Sequence, residues 1–450
     1  MELSPLTSVS PIDGRYRTVA QPLAAYFSEY ALMRYRIHVE IEYLIALGTL
    51  QMDSIPQADG NQQEALRQLY RDFSPQDAQR IKEIEHITQH DVKAVEYYLQ
   101  ERLKAMQLQQ FIPYVHFGLT SQDINNTAVP LAFRDALKNV YLPALAAVVE
   151  RLRTMAQSWQ DVPMLARTHG QPASPTLLGK ELQVFVTRII QQKDELVRIP
   201  HAAKFGGANG NLNAHYAAFP EVNWQRFAFR FVNETLGLKR SFPTTQIDHY
   251  DYLAAQCDAL CRINTVLIDL CRDIWLYISM NYFRQQIQEQ EVGSSTMPHK
   301  VNPIDFENAE GNLGLASAVF KHLAAKLPVS RLQRDLTDST VLRNLGVPLA
   351  HSLIALRAIE KGLGKLSLND EALRKDLSEN WSVVAEAIQT ILRREQYPDA
   401  YEALKTFTRG RPYLSEKDVH AFIDSLSVSD QVKDELRRIT PFNYLGKSVS

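Results

Sequence analysis

From Thr244 to Val292 the chain contains neither glycine nor proline, and its apolar residues recur with helical spacing. Leu253, Cys257, Leu260, Asn264, Leu267, Cys271, Ile274 and Ile278 advance by alternating steps of four and three, which places them on one face of a helix. Ile263, Val266, Leu270 and Leu276 widen that stripe until the segment is apolar nearly all round. Such a helix has no face to give to water, so it belongs inside a bundle. Similar long runs cover about 123–160, 175–199, 304–327 and 346–363. Few strand-like alternations accompany them. The expected fold class is therefore all-α, built on a central bundle of five long helices.

At 450 residues the chain has room for two or three domains. Phe111-Ile112-Pro113 closes a polar N-terminal region of shorter helices, and the long helices stop again near Gly362 to Ser367. Three domains are expected, at about 1–111, 112–364 and 365–450. Net charge is −2, which excludes nonspecific nucleic-acid binding, so any anionic ligand must be held by local arginines and lysines. The opening MELSPLTSVSPIDGRY has neither the charged start nor the apolar core of a secretory signal. The best membrane-span candidate, Ile263 to Phe283, is interrupted by Asp269, Arg272 and Asp273, so no membrane span is expected. Cys257, Cys261 and Cys271 all fall on one predicted helix and read as buried reduced thiols, which suits a cytoplasmic setting.

The long helix gives way to GSSTMPHKVNP, Gly293 to Pro303, a polar, cationic, proline-pinned loop. A simple turn needs no such cluster of hydroxyls. Thr120-Ser121-Gln122-Asp123 has capping-box form, and the free N–H groups and hydroxyls of that helix start are suited to an anion. Arg167 to Pro172 lies between two long helices, with His169 on a loop that offers no apolar run to bury it. Its near-neutral pKa suits proton transfer. Arg331, Arg334 and Arg343 are interleaved with Leu332, Val341 and Leu342. A solvated face accounts for the arginines but not for the interleaving; bidentate grip of a phosphate or carboxylate is the functional alternative. GGANGN, 206–211, is either a flexible loop or a backbone that approaches a ligand closely. His86 and His90 stand four apart and are expected to share a helix face. Two histidines alone are an incomplete metal-ligand set, and Ile87 stands where a zincin needs glutamate, so no metal is expected. Gly446-Lys447-Ser448 lacks the earlier glycine of a phosphate loop, Pro441 being in its place.

Together these residues resemble the fumarase/aspartase superfamily, with Gly293 to Pro303 similar to its signature loop. The likeness extends over essentially the whole chain to the branch acting on succinylated nucleotides, through Ser10–Tyr16, His90–Lys93, Thr120-Ser121, Arg167–Pro172, Thr245-Gln246, Met297–Asn308 and Leu327–Asn344. One departure is Asn209, where an apolar residue is expected. The resemblance implies a bundle that assembles into the 20-helix core of a homotetramer, with active sites shared between subunits. It implies elimination of fumarate from a succinyl compound through a carbanion, with no cofactor and no metal. By resemblance His169 is the general acid and Ser294 the general base, on a loop that closes over substrate. Arg15, Tyr16, Arg334, Ser339 and Arg343, with the intervening Thr340, Val341 and Leu342, would hold the nucleotide phosphate and neighbouring groups. Thr120, Ser121, Lys300 and Asn302 would hold the succinyl carboxylates, with Gln89, His90, Asp91, Gln246, Ser295 and Asn308 around them.

The chemistry asks for the same residue types. Removing a weakly acidic C–H proton beside a carboxylate leaves a carbanion whose charge needs fixed cations and N–H donors. The departing nitrogen needs a proton, which a positioned histidine delivers. Two rivals stand beside this reading: a sister lyase acting on argininosuccinate, aspartate or malate, and a non-catalytic helical scaffold of the same fold. The arginine cluster argues against the first, and the presence of His169, Ser294 and Lys300 against the second. Helix length adds a constraint. About 37 helical residues between Ser121 and the His169 loop span roughly 55 Å, subject to bending at Pro130 and Pro143, and about 45 between Gln246 and Ser294 span roughly 65 Å. One bundle cannot bring all four to one substrate; several packed side by side can.

Overall fold

The computed structural model describes residues 4–286, 301–409 and 414–447. The helices that bear on function, numbered in chain order, begin with α1 (Glu29–Gly48), α2 (Gly60–Arg71), α3 (Pro75–Thr88) and α4 (Asp91–Ala105). The long helices follow as α5 (Ser121–Ala136), α6 (Leu142–Ser158), α7 (Leu178–Arg198), α8 (Asp251–Ser279) and α9 (Ile304–Lys326). Then come α10 (Thr337–Leu342), α11 (Gly346–Gly364), α12 (Asp370–Ser378) and α13 (Ala385–Arg394). Strand among the described residues is confined to four two-stranded ladders. These pair β1 (Pro163–Met164) with β4 (Thr176–Leu177), β2 (Arg167–Thr168) with β3 (Gln171–Pro172), and β7 (Phe283–Gln285) with β8 (Leu366–Leu368), all antiparallel. The remaining pair, β5 (Ala202–Lys204) with β6 (Lys239–Ser241), is parallel. The fold is all-α, as the periodicity predicts.

The long helices differ from expectation where backbone chemistry overrides apolar spacing. The run expected over 123–160 divides at a π-helical turn, Leu137–Tyr141, that joins α5 to α6. Pro143 lies just beyond it, and a proline ring removes one helical N–H and crowds the preceding turn. The run expected to reach residue 290 stops at Ser279. Asn281 takes a left-handed conformation, φ 61°. The Asn281 N–H bonds the Ile278 carbonyl and the Tyr282 N–H the Tyr277 carbonyl, both at 2.9 Å. That is a Schellman cap with asparagine in the usual glycine position. Its N-terminal end is also later than expected, because Asp248 holds the approach irregular by accepting from the Tyr250 N–H at 2.8 Å.

The contacts divide the chain into two compact units, one of Met1–Ala146, Gln192–Thr265 and Gly311–Arg357, the other of Ala147–Gln191, Val266–Glu310 and Ala358–Ser450. In the first, α1 serves two cores at once. Tyr35, Val39, Tyr43 and Leu47 face a cluster with Phe205, Trp224, Phe227 and Phe231, while Met33, Ile37, Ile41 and Leu44 face Ile81, Leu99, Leu103 and Phe111. Both sets recur at about helical spacing, so α1 is buried nearly all round. In the second unit one core joins Trp381, Val384, Ile388 and Leu392 to Val419, Ile423 and Leu436, and a smaller one joins Leu165 to Leu377, Val383 and Phe442. Cys257, Cys261 and Cys271 are buried free thiols. No helix of the described residues is long and apolar enough to cross a membrane.

His215, fully buried in the first core, bonds the Tyr43 hydroxyl through Nε2 at 2.9 Å, while its Nδ1 has no partner among the described residues. Gly118 lets the ring sit there, since a Cβ at that position would fall 2.8 Å from the imidazole. Burial pushes the His215 pKa down to about 4, and His201 likewise to about 4. The folded state therefore keeps these rings neutral while the unfolded chain takes up protons below the ordinary value near 6.5. Stability is full above pH 6.5 and is lost progressively as pH falls to about 4, by about 2–3 kcal/mol for one such ring. The fall of the thermal midpoint between pH 6.5 and 4 is expected to be shallower in His215→Gln than in the unaltered protein. Calorimetric scans across that range check it, and identical slopes would contradict it.

Candidate active site

Four segments of the first unit enclose a cavity of about 560 Å³. They are the first turns of α1 (Glu29, Leu32, Arg36), the α3–α4 junction (Glu85, Gln89, His90, Asp91), the start of α5 (Ser121, Gln122, Asn125, Val129), and the run from Arg334 through α10 to Leu345.

The junction is shaped by its caps. Gln89 adopts φ 53° and ends α3, and His90 then caps α4, its Nδ1 accepting from the Lys93 N–H at 3.1 Å. His86 and His90 therefore do not share one helix face, contrary to the sequence expectation, because the left-handed Gln89 breaks the helix between them. Asp91 opens α4, where a carboxylate is favoured by the helix dipole. Its Oδ2 accepts from Arg36 Nη2 at 2.6 Å and lies 3.5 Å from Arg343 Nη2. Burial raises the Asp91 pKa, but Arg36 above all, then the Val92 N–H and Arg343, hold it below the usual carboxylate range. Arg36 is only 3% exposed and gives its Nε to Asn125 Oδ1 at 2.9 Å.

Two further guanidinium groups complete the wall. Arg343 Nη1 donates to Glu29. Arg334 Nη2 donates to Ser339 Oγ at 2.7 Å, and with the Gln122 amide turned to satisfy both groups its oxygen accepts from Arg334 at 2.7 and 3.2 Å. Arg334 Nε is buried without a hydrogen-bond partner among the described residues and stands 3.5 Å from Asp338 Oδ1. Arg331 behaves differently: its side chain is 78% exposed and, among the described residues, pairs with Asp335, as a solvated face does. The interleaved Leu332 is exposed as well, so its place between arginines marks no burial within the chain.

The α5 start is fixed from below. Asp123 Oδ2 accepts from the Thr120 N–H at 2.9 Å, the carboxylate half of the expected capping box. Asp123 Oδ1 accepts from the Gly206 N–H at 2.8 Å and from Lys204 Nζ at 2.7 Å, with both charged side chains fully buried. Lys204 also donates to the Gly207 carbonyl at 2.6 Å. The glycines of GGANGN are thus buried and brace Asp123 from below, while Ala208 and Asn211 are exposed. Gly210 has φ 86°, and a Cβ there would fall 2.1 Å from the Thr244 carbonyl oxygen, which admits only glycine. Gln246 is tied to the same brace, its Nε2 donating to the Ala208 carbonyl at 3.0 Å.

The cavity thus gathers Gln89, His90, Asp91, Ser121, Arg334, Ser339, Leu342 and Arg343. Arg15, Tyr16, Thr120, Gln246, Thr340 and Val341 belong to the same unit without lining it. His169 belongs to the second unit, at the exposed tip of the β2–β3 hairpin, where His169 and Gly170 have φ 53° and 75°. Two left-handed residues in succession make the tight turn whose twist suits a hairpin. Asn302 and Asn308 belong to the second unit too. Ser294, Ser295 and Lys300 lie outside the described residues. Among the described residues no group of three histidines, cysteines or carboxylates is placed to hold a metal ion. Sequence reasoning missed Arg36, Glu29, Gln122 and Asn125. A signal for Arg36 was present: in EYALMRYRIHVEIEYLIALG it sits within a helix whose apolar residues occupy opposite faces, and a charge buried there must be paired.

A family model described as "Lyase" matches residues 14–319, and one described as "Adenylosuccinate lyase C-terminal" matches 330–445. The adenylosuccinate lyase of Dictyostelium discoideum is 55% identical over 99% of this chain and 98% of its own length. That of Escherichia coli strain K12 is 46% identical over 100% and 99%. In fold, the chain is similar to a fumarate lyase from Mesorhizobium sp. BNC1, with a TM-score of 0.72 at 19% identity over 95% of each chain. It is likewise similar to a 3-carboxy-cis,cis-muconate lactonizing enzyme from Pseudomonas putida, with a TM-score of 0.71 at 21% identity over 95% and 94%.

Breaking the Asp123–Lys204 pair from one side strands a buried charge. Asp123→Asn is expected to cost about 3–5 kcal/mol of stability, read as a lowered denaturation midpoint. An unchanged midpoint would show that the brace does not depend on charge.

Proposed function

The chain belongs to the adenylosuccinate lyase family, and from that premise we propose that it is a carbon–nitrogen lyase of purine nucleotide biosynthesis. It eliminates fumarate from adenylosuccinate, leaving AMP, and from SAICAR, leaving AICAR. One observation carries the site assignment: Arg334, Arg343 and Ser339 converge with His90, Asp91 and the Ser121 helix start on one cavity of about 560 Å³. That volume is in the range of small-molecule sites. A phosphate-bearing substrate gives the guanidinium groups a partner, since a dianion competes with Glu29 for the exposed Arg343.

In the proposed mechanism Ser294 takes the proton from the succinyl carbon beside a carboxylate. The electron pair left behind is delocalised into that carboxylate, where Lys300, Asn302 and the Thr120-Ser121 helix start stabilise it. The pair then forms the new double bond as the C–N bond breaks, and His169 gives the departing nitrogen its proton. The family resemblance supports a homotetramer whose sites draw on several chains. The 29 residues of α8 alone make a rod of about 43 Å, longer than a substrate of this class, so groups at its two ends serve different molecules. The three free cysteines suit a cytoplasmic enzyme. Adding adenylosuccinate to the pure protein and following fumarate by ultraviolet absorbance tests the reading; no fumarate would overturn it.

Two predictions follow from the residue roles. Arg334→Leu and Arg343→Leu are each expected to weaken AMP binding by about 1.5–3 kcal/mol, the range for a charge-assisted hydrogen bond. Titration calorimetry checks this, and unchanged affinity in both would return the arginines to a solvated face.

Ser294→Ala and His169→Ala are each expected to lower kcat by roughly 10²–10⁴-fold, the range for a lost general base or acid. Mixed under subunit exchange, the two should recover part of the activity, because some sites then inherit an intact residue from each parent. Proven exchange with no recovery would place both residues on one chain.

A further inference from the structure

His169 stands on a ladder of two residues per strand, in an exposed hairpin with both turn residues left-handed. A ladder that short has little stability of its own. Yet a general acid must hold its geometry closely, since a displacement of about 1 Å at a reacting group costs on the order of 10²-fold in rate. What holds the hairpin lies in the C-terminal helices, in residues to which no role in the reaction has been given above.

The arms are all within the second unit. Before the turn, Arg167 Nη2 donates to Asp376 Oδ2 at 2.6 Å, with side chains 29% and 19% exposed. The Tyr282 hydroxyl donates to the same oxygen. Asp376 is itself held, since Asn380 Nδ2 donates to its carbonyl at 2.7 Å and to its Oδ1 at 3.2 Å. After the turn, Ser174 Oγ donates to Glu386 Oε2 at 2.5 Å, and the Tyr444 hydroxyl donates to that oxygen at 3.0 Å. Beneath the hairpin Leu165, 2% exposed, packs on Leu377, Val383 and Phe442. Both flanks of the turn are therefore gripped by carboxylates of α12 and α13, with an apolar footing below.

We propose that Asp376 and Glu386 are positioning residues for the elimination, a two-carboxylate clamp by which the C-terminal helices hold the hairpin of His169. This rests on the functional reading above, in which His169 is the proton donor. Neither carboxylate touches substrate. Each acts through the backbone of 165–174, and the C-terminal region then contributes to catalysis without supplying a reacting group. Tyr444 extends the clamp to the end of the described chain.

The test compares Asp376→Asn, Asp376→Glu and Glu386→Gln with the unaltered protein. Asp376→Asn keeps the shape and removes the charge; kcat is expected to fall about 10–100-fold, with KM and AMP affinity within about 2-fold, because the cavity arginines are untouched. Asp376→Glu should recover part of the loss, and Glu386→Gln should lower kcat in the same sense. Hydrogen exchange by mass spectrometry supplies a readout independent of turnover: peptides covering 165–175 should exchange faster in Asp376→Asn while those of the first unit do not change. An unchanged kcat, an equal loss of AMP affinity, or unchanged exchange at 165–175 would each overturn the clamp. If the unaltered protein releases no fumarate, the functional reading fails, and the exchange comparison alone decides whether the carboxylates hold the hairpin.

Discussion

One buried ion pair fixes the geometry of the cavity. Asp123 and Lys204 are both removed from water, a state that each alone could occupy only at a cost of several kcal/mol. They are tolerated because each finds at least one polar partner besides the other. The carboxylate receives the Thr120 N–H, the Gly206 N–H and the lysine, and the lysine also reaches the Gly207 carbonyl. The same few atoms therefore set the first turn of α5, where Ser121 enters the cavity, and the brace to which Gln246 is tied. The glycines of the brace follow from close backbone packing, since a Cβ at Gly206 would fall 2.9 Å from Gly210 and one at Gly210 would fall 2.1 Å from the Thr244 carbonyl oxygen.

Charge in the cavity is arranged on a related principle. Arg36, the most buried of the guanidinium groups, gives its Nε to Asn125 and its Nη2 to Asp91. Its role is to hold Asp91 ionised at the start of α4. Arg343 is half exposed and leans on Glu29 and Asp91, contacts weak enough in water to be exchanged for a dianion. Arg334 is intermediate, its terminal nitrogens bonded to Ser339 and Gln122 and its buried Nε left over. The three arginines of the cavity thus differ in exposure and partners, a difference that residue type alone does not reveal.

The helices were legible in the chain because burial on a helix writes itself as spacing. The runs expected over 175–199, 304–327 and 346–363 return as α7, α9 and α11 with ends shifted by only a few residues. Apart from the turn ahead of Pro143, errors arose where the stop signal was neither glycine nor proline. Asn281 ends α8 by adopting the left-handed turn, and Gln89 separates His86 from His90 in the same way. Those conformations depend on which carbonyls are left over at a helix end and on what packs beyond it, and the local alphabet does not encode them. Arg36 was passed over because a single charge in an apolar helix looks like solvation until its partner, 55 positions away, is brought beside it.

Legible along the chain alone are local commitments: the all-round apolar helix, the capping box at Thr120, and the residue types suited to an elimination that needs cations, donors and a histidine. Each depends on neighbours within a few positions, and so can be read in order along the chain. Folding alone brings Arg36 to Asp91, the glycine segment under Asp123, and Asp376 and Glu386 onto the His169 hairpin. Those outcomes pair residues more than fifty, and in the hairpin more than two hundred, positions apart. The reason is physical: a charge or an unsatisfied N–H specifies that a partner must exist, but only the packing of the whole chain settles which partner comes within 3 Å.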